Sequence, residues 1–254
     1  MKHIPNVFTL LNLFFGCIAI VFILQTGESL IMQDDGSWVA QFPEKIWWGS
    51  VFIGIAAIID FLDGFVARLF NATSAMGKQL DSLADVVSFG VAPAMILYQL
   101  LRISYIQEDS GLDTSILALI PAFIFPCAGA YRLARFNLDS AQQYGFKGVP
   151  IPAAGLVVAS FPLILFGSQS FDLNTLFTNK WFLYGVIAVL SMLMVSRLPL
   201  MALKFKDFSI ANNLPKIILL VLAIIAALFL QWLAVPVIFI LYIIVSLIFK
   251  EKRY

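Results

Sequence analysis

The sequence predicts an all-α polytopic membrane protein with about eight transmembrane helices, and three observations lead to that prediction. The first is composition: 61% of the 254 residues are hydrophobic and only 12% are charged, whereas soluble domains carry about 25% charged residues. The second is a series of long uncharged runs. The third is an uneven distribution of basic residues among the segments that join those runs. A chain of this composition places most of its surface against lipid.

The uncharged runs mark the predicted helices in order. A membrane-spanning helix needs about 20 mostly apolar residues, within a range of about 17–25. Uncharged runs cover residues 4–27, 46–59, 86–101, 114–131, 148–171 and 181–196. The shorter runs reach the required length when the polar ends of their helices project from the bilayer core. We interpret the first run as a retained helix rather than a signal peptide, because it has no convincing small-residue cleavage site.

The last uncharged run, residues 217–249, is too long for one helix. It predicts a hairpin that breaks near residues 231–236, since Pro236 cannot continue a helix without losing a hydrogen bond. We therefore expect a membrane core at residues 1–200, a cytoplasmic connection at 201–216, and a C-terminal hairpin with a basic tail at 217–254.

Basic residues fall on one side of the predicted membrane. With eight helices and with the N- and C-termini cytoplasmic, every basic residue except Lys45, Arg102 and Lys180 lies in a cytoplasmic segment. This asymmetry follows the positive-inside rule. It also supports two helices after residue 216, because a single helix would place the basic residues at 250–253 outside.

Residue usage excludes several classes of site and partner. His3 is the only histidine, which excludes a zinc site built on histidine ligands. Cys17 and Cys127 both lie in apolar runs and form neither a CxxC motif nor a disulfide framework. A net charge of +1 gives no indication of a nucleic-acid partner.

Four aspartates interrupt the apolar pattern between residues 60 and 85. Asp60 and Asp63 are spaced i, i+3 near the end of the second predicted helix, whereas Asp81 and Asp85 are spaced i, i+4 near the start of the third. Each pair therefore lies on one helix face. The connection between the two helices is short, which makes them antiparallel neighbours. We expect all four carboxylates to converge close to the cytoplasmic interface.

Such a group of carboxylates requires a compensating positive charge, because one charge in a membrane costs roughly 2.5–3.5 kcal/mol on insertion scales. An ion-pair network with Arg68 and Lys78 would provide one. Divalent metal ions are the sharper interpretation, since all-oxygen ligand sets suit Mg²⁺ or Mn²⁺ and four carboxylates can hold two ions about 4 Å apart. A cation transporter or proton relay is a remote alternative, because a relay needs acidic residues distributed across the bilayer.

Small and basic residues stand at fixed distances from these aspartates. Gly64, Ala67, Arg68 and Gly77 complete the pattern Asp-x2-Asp-Gly-x2-Ala-Arg-x8-Gly-x3-Asp-x3-Asp over residues 60–85. This pattern resembles the signature of the CDP-alcohol phosphotransferase family at every specified position. The resemblance implies a six-helix catalytic core within roughly residues 1–200, to which the hairpin after Lys216 is an addition.

The same resemblance implies a reaction and a site. Family members move a substituted phosphate from a CDP-linked donor to an alcohol and release CMP. By resemblance, the four aspartates hold two divalent cations (Mg²⁺ or Mn²⁺), Gly64, Ala67, Arg68 and Gly77 line the CDP site, and Asp85 is the general base. An alkyl hydroxyl is a poor nucleophile at neutral pH, so a positioned carboxylate suits this chemistry. Family members are commonly homodimers.

Three further segments resemble the phosphatidylserine synthase branch of that family. They contain Pro5, Asn6 and Thr9; the run Arg-Leu-Ala-Arg-Phe-Asn at 132–137; and Gly148, Pro150 and Pro152. The branch implies CDP-diacylglycerol as donor and L-serine as acceptor, in the cell membrane with the site at the cytoplasmic face. Acceptors that carry a phosphate, such as glycerol 3-phosphate or inositol phosphate, are the alternative within the family.

Polar and basic residues near the same helix ends are candidate substrate ligands. A serine carboxylate suits an arginine fork, so Arg132, Arg135 and Lys147 are candidate serine-binding residues, although each could be a plain positive-inside anchor. Asn6 and Thr9 could bond the diphosphate, a metal ligand or the cytosine. The alternative for Asn6 is a helix N-cap.

Overall fold

The apolar runs are helical in a computed structural model of the protein, which describes residues 4–25, 30–32, 38–40, 45–69, 74–107, 114–138, 146–167, 173–201 and 210–249. The helices of the first half are α1 (Ile4–Leu24), α2 (Ile46–Leu69), α3 (Ala75–Asp85) and α4 (Ala92–Ile106). Those of the second half are α5 (Ile124–Leu138), α6 (Ile151–Gly167), α7 (Asn174–Phe177), α8 (Lys180–Val195), α9 (Ile210–Leu230) and α10 (Ala234–Ile248).

The prediction of an all-α polytopic membrane protein is confirmed. Within the described residues, the segments long and apolar enough to cross a membrane are Pro5–Leu24, Ile46–Leu69, Ala75–Ile106, Ile116–Leu138 and Asn213–Ile248. The helices α6 and α8 are apolar but shorter. Large apolar side chains point outward along these helices, among them Phe14, Phe61 and Phe229, which are 57%, 69% and 77% exposed. Such a surface suits lipid rather than water.

The third apolar segment changes its helical geometry directly after the second aspartate pair. Ser74 caps the start of α3 by accepting a hydrogen bond from the Gly77 amide at 2.9 Å. A π-helical segment, Val86–Val91, then joins α3 to α4. Its buried Ser88 donates a hydrogen bond to the Asn12 carbonyl at 3.0 Å, which ties this segment to α1. Single π-helical turns inside α-helices are rare and are frequent at functional sites.

The core is formed by buried residues of α1, α2, α4, α5, α6 and α8. Its largest fully buried side chains include Phe89, Phe125, Leu97 and Ile151. Close approach of the backbones requires a glycine in α6, since a Cβ atom on Gly155 would lie 2.6 Å from the Phe89 carbonyl oxygen. The π-helical segment and α6 are therefore in direct backbone contact, which fixes the end of α3 relative to the core.

Two short antiparallel ladders join helix ends, a feature that the helical periodicity does not predict. Strand β1 (Leu30–Met32) pairs with β2 (Trp38–Ala40), and β3 (Phe146–Lys147) pairs with β4 (Pro199–Leu200). Gly148 follows β3 at φ +78°, a conformation that favours glycine. Its amide donates a hydrogen bond to the Leu198 carbonyl at 2.9 Å. The start of α6 is thereby held against the segment that follows α8.

The C-terminal segment folds back on itself. A 3₁₀ turn, Gln231–Leu233, separates α9 from α10, and Gln231 adopts a positive φ of 49°. The two helices pack against each other, with the break in the region where the sequence predicts one. Residues 202–209 of the expected cytoplasmic connection lie outside the described residues, as do 250–254 of the basic tail.

Candidate active site

Three of the four aspartates meet between α2 and α3. Ligand oxygens of Asp60, Asp81 and Asp85 all lie within 4.8 Å of one another. The i, i+4 spacing places Asp81 and Asp85 on one face of α3, and that face packs near the end of α2 that carries Asp60. Asp85 is only 6% exposed, so the cluster extends from the protein surface into its interior.

The fourth aspartate is oriented by a different helix. Asp63 is buried, and its carboxylate accepts a hydrogen bond from the hydroxyl of the equally buried Thr9 in α1. Thr9 stands i, i+3 from Asn6, so both face the aspartates from one side of α1. Of the three partners that the sequence leaves open for Thr9, a carboxylate of the aspartate set is the one observed. The site is therefore built by α1, α2 and α3 together.

The lysine and arginine nearest in sequence do not neutralise this cluster within the described residues. Lys78 donates instead to the Asn137 carbonyl at 3.4 Å. The Asn137 amide donates to Ser82 Oγ at 2.8 Å, which ties the end of α5 to the helix that carries Asp81. The ion-pair network with Arg68 and Lys78 that the sequence left open is not observed among these residues.

The donor set fits a divalent cation. Oxygen ligands from carboxylates are those that Mg²⁺ and Mn²⁺ prefer. Asp85 Oδ1 is buried and has no hydrogen-bond partner among the described residues, although a buried polar atom is normally paired. Carboxylates this close also repel one another. Both observations indicate a site built to receive positive charge, and Asp60, Asp81 and Asp85 are the residues that could hold it.

The two glycines of the motif have different surroundings. A Cβ atom on Gly64 would meet only Arg68 Nη2, at 4.0 Å, so packing between helices does not require a glycine there. A Cβ atom on Gly77 would lie 3.0 Å from Asn6 Oδ1 and 3.1 Å from Ser74 Oγ. Ala67 is partly buried one turn from Gly64, and Arg68 is exposed at the end of α2. The surface of α2 beside Gly64 and Arg68 is therefore open, whereas α3 approaches Asn6 closely at Gly77.

The two candidate arginines of α5 have different surroundings. Arg132 is 5% exposed and interacts electrostatically with Asp85. Its Nε atom is buried with no hydrogen-bond partner among the described residues, and its guanidinium carbon lies 5.4 Å from the centre of the Phe136 ring. Arg135 instead donates to the carbonyls of Val195 and Ser196, at 2.8 and 2.9 Å.

The backbone of Lys147 pairs with Pro199 in the β3–β4 ladder, whereas its side chain lies outside the described part of the chain. Between Arg132 and Arg135, whose side chains the structure describes, it is Arg132 that interacts with an aspartate of the cluster and has a buried Nε atom without a partner in the described residues.

Two further polar residues border this region. Asn12 is fully buried in α1, and neither of its side-chain amide atoms has a partner in the described residues; its place three residues after Thr9 is a signal that the sequence does offer. Tyr242 of α10 donates a hydrogen bond to the Met201 carbonyl at 2.9 Å, a few residues after the carbonyls that Arg135 binds. No local sequence pattern predicts this contact of Tyr242, because only the folding of the hairpin brings α10 beside Met201.

Comparison with known proteins gives a consistent result. The family model described as CDP-alcohol phosphatidyltransferase matches residues 2–196. A Helicobacter pylori protein named CDP-diacylglycerol–serine O-phosphatidyltransferase is 33% identical over 229 residues, which cover 89% of this chain and 81% of that protein. Proteins with the same name from Bacillus subtilis and Methanocaldococcus jannaschii are 34% and 39% identical. Their alignments cover 65% and 57% of this chain, and 81% and 59% of those proteins.

Proposed function

Because the chain belongs to the CDP-alcohol phosphatidyltransferase family, we propose that it transfers the phosphatidyl group of CDP-diacylglycerol to the hydroxyl of L-serine. The products are phosphatidylserine and CMP. The observation that carries this proposal is the meeting of Asp60, Asp81 and Asp85 within 4.8 Å beside the buried Arg132. Serine as acceptor is supported by the names of the similar proteins from three distant microorganisms.

Asp60, Asp63, Asp81 and Asp85 would hold two divalent cations, Mg²⁺ or Mn²⁺, and these ions would offset the charge of the diphosphate and of the departing CMP. Thr9 supports this role by fixing one oxygen of Asp63. Asp60 and Asp81 are partly buried, whereas Asp63 and Asp85 are buried. This gradation suits a site that takes a charged headgroup from the membrane surface while it excludes bulk water from the reacting atoms.

Asp85 is proposed as the general base. Its buried Oδ1 has no partner within the described residues and could accept the proton of the serine hydroxyl. The serine oxygen then forms a bond to the phosphatidyl phosphorus, and the bond from that phosphorus to the CMP oxygen breaks. General base catalysis by a positioned carboxylate contributes typically 10²–10⁴-fold to a rate.

The CDP moiety is assigned to the gap beside α2 and α3. Gly64 leaves room next to Arg68, whose exposed guanidinium can approach a diphosphate in fork geometry. Ala67 and Gly77 are the small residues of the proposed CDP site, and Asn6 and Thr9 contribute polar groups to it from α1. A side chain at Gly64 would occupy space that the nucleotide needs, whereas a side chain at Gly77 would displace Asn6.

The serine carboxylate is assigned to Arg132. A buried guanidinium with a hydrogen-bond donor to spare gives a stronger interaction with a carboxylate than an exposed one, because water does not compete. Arg135 supports the same pocket through the backbone that it binds. Lys147 remains a candidate from the sequence alone.

The location follows from the same assignment. Both substrates require a site where a soluble CDP or serine group meets a lipid, and the aspartates lie near helix ends as such a site requires. The basic residues of the connecting segments favour the cytoplasmic face of the cell membrane. We propose a homodimer because members of the family are commonly homodimers.

The test is release of CMP by the purified full-length protein with CDP-diacylglycerol and Mn²⁺ or Mg²⁺. L-serine, glycerol 3-phosphate and inositol phosphate are offered separately, and Asp85→Asn is assayed in parallel. We expect release that needs both serine and metal and that falls by at least about 100-fold in Asp85→Asn, with an unchanged melting temperature in detergent. Release of CMP with another acceptor would overturn the assignment of serine as acceptor but would leave the aspartate site in place. No release with any acceptor would overturn the proposal.

A further inference from the structure

Asn12 of α1 has an unusual environment for a polar residue in an apolar helix. Its side chain is fully buried, and neither its amide nitrogen nor its amide oxygen has a hydrogen-bond partner among the described residues. Buried polar groups are normally paired, because an unpaired amide removed from water costs free energy. Since the described part of the fold does not satisfy this side chain, the observation points to a bound ligand that would.

Asn12 lies on the face of α1 that meets the aspartates. Thr9, Asn12 and Gly16 are all buried, and their i, i+3, i+7 spacing places them on one side of the helix. The Thr9 hydroxyl donates to the Asp63 carboxylate of α2. A Cβ atom on Gly16 would lie 2.9 Å from the Ser88 Cα atom of the π-helical segment. The side chain of Asn12 therefore stands between the end of α2 and the π-helical segment.

Two contacts with the third apolar segment give the depth of Asn12. Near the start of both helices, a Cβ atom on Gly77 would lie 3.0 Å from Asn6 Oδ1. Further along, Ser88 donates to the Asn12 carbonyl at 3.0 Å, so α1 and α3 run side by side in the same direction. An α-helix rises about 1.5 Å per residue, which places Asn12 and Asp85 about 9 and 12 Å beyond the first contact. Asn12 is thus nearly level with Asp85, whose Oδ1 is also buried without a partner within the described residues.

The packing of the helices assigns Asn12 to the donor side of the site. The helix α1 packs against α2, α3 and the π-helical segment. The helix α5, which carries Arg132, also packs against the π-helical segment but makes little contact with α1 in the described residues. An acceptor held by Arg132 would therefore approach Asp85 from another side than Asn12 does.

The order of polar residues along α1 matches the order of groups in the donor. From the start of the helix these residues are Asn6, Thr9 and Asn12. In CDP-diacylglycerol the cytidine is followed by two phosphates and then by the glycerol with its acyl chains. A donor whose CDP group lies beside Asn6 and Thr9 would bring its phosphatidyl phosphate, the second of the two, to the level of Asn12.

We propose that Asn12 is a donor-binding residue, and that its amide nitrogen donates a hydrogen bond to a non-bridging oxygen of the phosphatidyl phosphate. Ionised carboxylates can only accept hydrogen bonds, so the aspartates themselves offer none to a phosphate oxygen. An amide at the depth of Asp85 supplies such a donor where water does not compete. This inference rests on the proposed function, since it names the part of CDP-diacylglycerol that Asn12 contacts.

The test is equilibrium binding of two ligands to Asn12→Leu in the purified full-length protein, with Mn²⁺ and without an acceptor. CDP-diacylglycerol contains the phosphatidyl phosphate, whereas CMP does not. We expect the Kd for CDP-diacylglycerol to rise about tenfold or more, as for the loss of one hydrogen bond to a charged group. The Kd for CMP should stay within about twofold of the wild-type value. An equal rise for both ligands, or an unchanged Kd for CDP-diacylglycerol, would overturn the proposal.

Asn213→Leu is the matched control. Asn213 is also a buried asparagine, 3% exposed in α9, but its side-chain oxygen accepts a hydrogen bond from Lys216 Nζ at 3.0 Å. The substitution makes the same chemical change outside the region of the aspartates. We expect both Kd values to match those of the wild type. A rise in the Kd for CDP-diacylglycerol as large as that in Asn12→Leu would show a general effect of losing a buried amide and overturn the inference.

Steady-state kinetics add a second criterion. In Asn12→Leu the KM for CDP-diacylglycerol should rise while the KM for serine stays within about twofold. A rise in the serine KM alone would place Asn12 on the acceptor side and overturn the inference. A wild-type protein that binds CDP-diacylglycerol but releases no CMP with serine would overturn the proposed acceptor and leave the role of Asn12 in donor binding intact. A wild-type protein that binds neither ligand would overturn the proposed function and this inference with it.

Discussion

The hydroxyl of Thr9 in α1 donates a hydrogen bond to the carboxylate of Asp63 in α2. Both residues are buried, at 3% and 8% exposed, so water does not compete for this bond. Asp63 differs from the other three aspartates because a residue of a neighbouring helix sets the orientation of its carboxylate. The first helix of the chain therefore contributes directly to the aspartate site.

Thr9→Val should impair the reaction with little change in shape, since valine has nearly the volume of threonine but no hydroxyl. We expect kcat to fall about tenfold and the Mn²⁺ concentration for half-maximal activity to rise, because one hydrogen bond to a charged group contributes about 1.5–3 kcal/mol. Thr9→Ser keeps the hydroxyl and should recover most of the activity. Equal activity in both variants would show that the bond has no role in catalysis.

Gly64→Ala and Gly155→Ala should give opposite results although they are the same chemical change. At Gly64 a Cβ atom meets only Arg68 Nη2, at 4.0 Å, whereas at Gly155 it lies 2.6 Å from the Phe89 carbonyl oxygen. We expect Gly64→Ala to keep the melting temperature but to raise the KM for CDP-diacylglycerol about tenfold or more. Gly155→Ala should lose stability by about 1–3 kcal/mol through overpacking.

Thermal denaturation in detergent together with substrate kinetics separates these outcomes. A strongly lowered melting temperature in Gly64→Ala, with an unchanged KM in the protein that remains folded, would mean that the gap beside Arg68 is a packing feature. The space beside Arg68 would then not be assigned to the nucleotide.

Arg132 and Arg135 should differ in the quantity that their loss affects. Arg135→Ala removes the hydrogen bonds to Val195 and Ser196, so we expect it to destabilise the fold by about 1–2 kcal/mol with a serine KM near that of the wild type. Arg132→Ala should instead raise the serine KM by about 10–100-fold, since it removes the proposed ligand of the acceptor carboxylate. A serine KM that responds to Arg135→Ala alone would transfer the assignment to Arg135.

Removal of metal should lower the thermal stability of the wild type, because close carboxylates repel one another without a cation. Added Mn²⁺ should raise the melting temperature, as any ligand of the folded state does. Asp81→Asn removes one of the repelling charges, so without metal we expect it to be at least as stable as the wild type. Added Mn²⁺ should raise the melting temperature of Asp81→Asn less than that of the wild type. Ca²⁺-free buffers with EDTA provide the metal-free reference state.

If Mn²⁺ stabilises Asp81→Asn as much as the wild type, then Asp81 is not a ligand. A melting temperature of the wild type that is insensitive to both EDTA and Mn²⁺ would remove the cluster of Asp60, Asp81 and Asp85 as the binding site for the ion.

The parts of this site that follow local rules could be predicted from the sequence. Helical spacing alone brings Asp81 and Asp85 to one face, and a short connection brings Asp60 beside them. The apolar runs predict the helices because backbone groups in lipid must be satisfied within the segment.

The remaining features depend on neighbours far apart in the chain, which no local pattern encodes. Thr9 meets Asp63 only because α1 packs on α2, and Arg135 turns to the carbonyls of Val195 and Ser196 only because α8 ends beside α5. Tyr242 looks from the sequence like any aromatic residue in an apolar helix, since its hydrogen-bond partner Met201 lies outside that helix.

The π-helical turn Val86–Val91 has a consequence for how this membrane segment can change. In a regular α-helix successive residues are about 100° apart, whereas a π-helical turn takes one extra residue into the turn without rotating the helix on either side of it. Deleting one residue between 86 and 91 would leave a regular α-helix, with the carboxylate face of α3 and the buried face of α4 in nearly the same relative orientation. Deleting one residue elsewhere between Asp81 and the buried residues of α4 would instead rotate these two faces by about 100°, so the π-helical turn is the part of this segment that best accepts the loss of one residue.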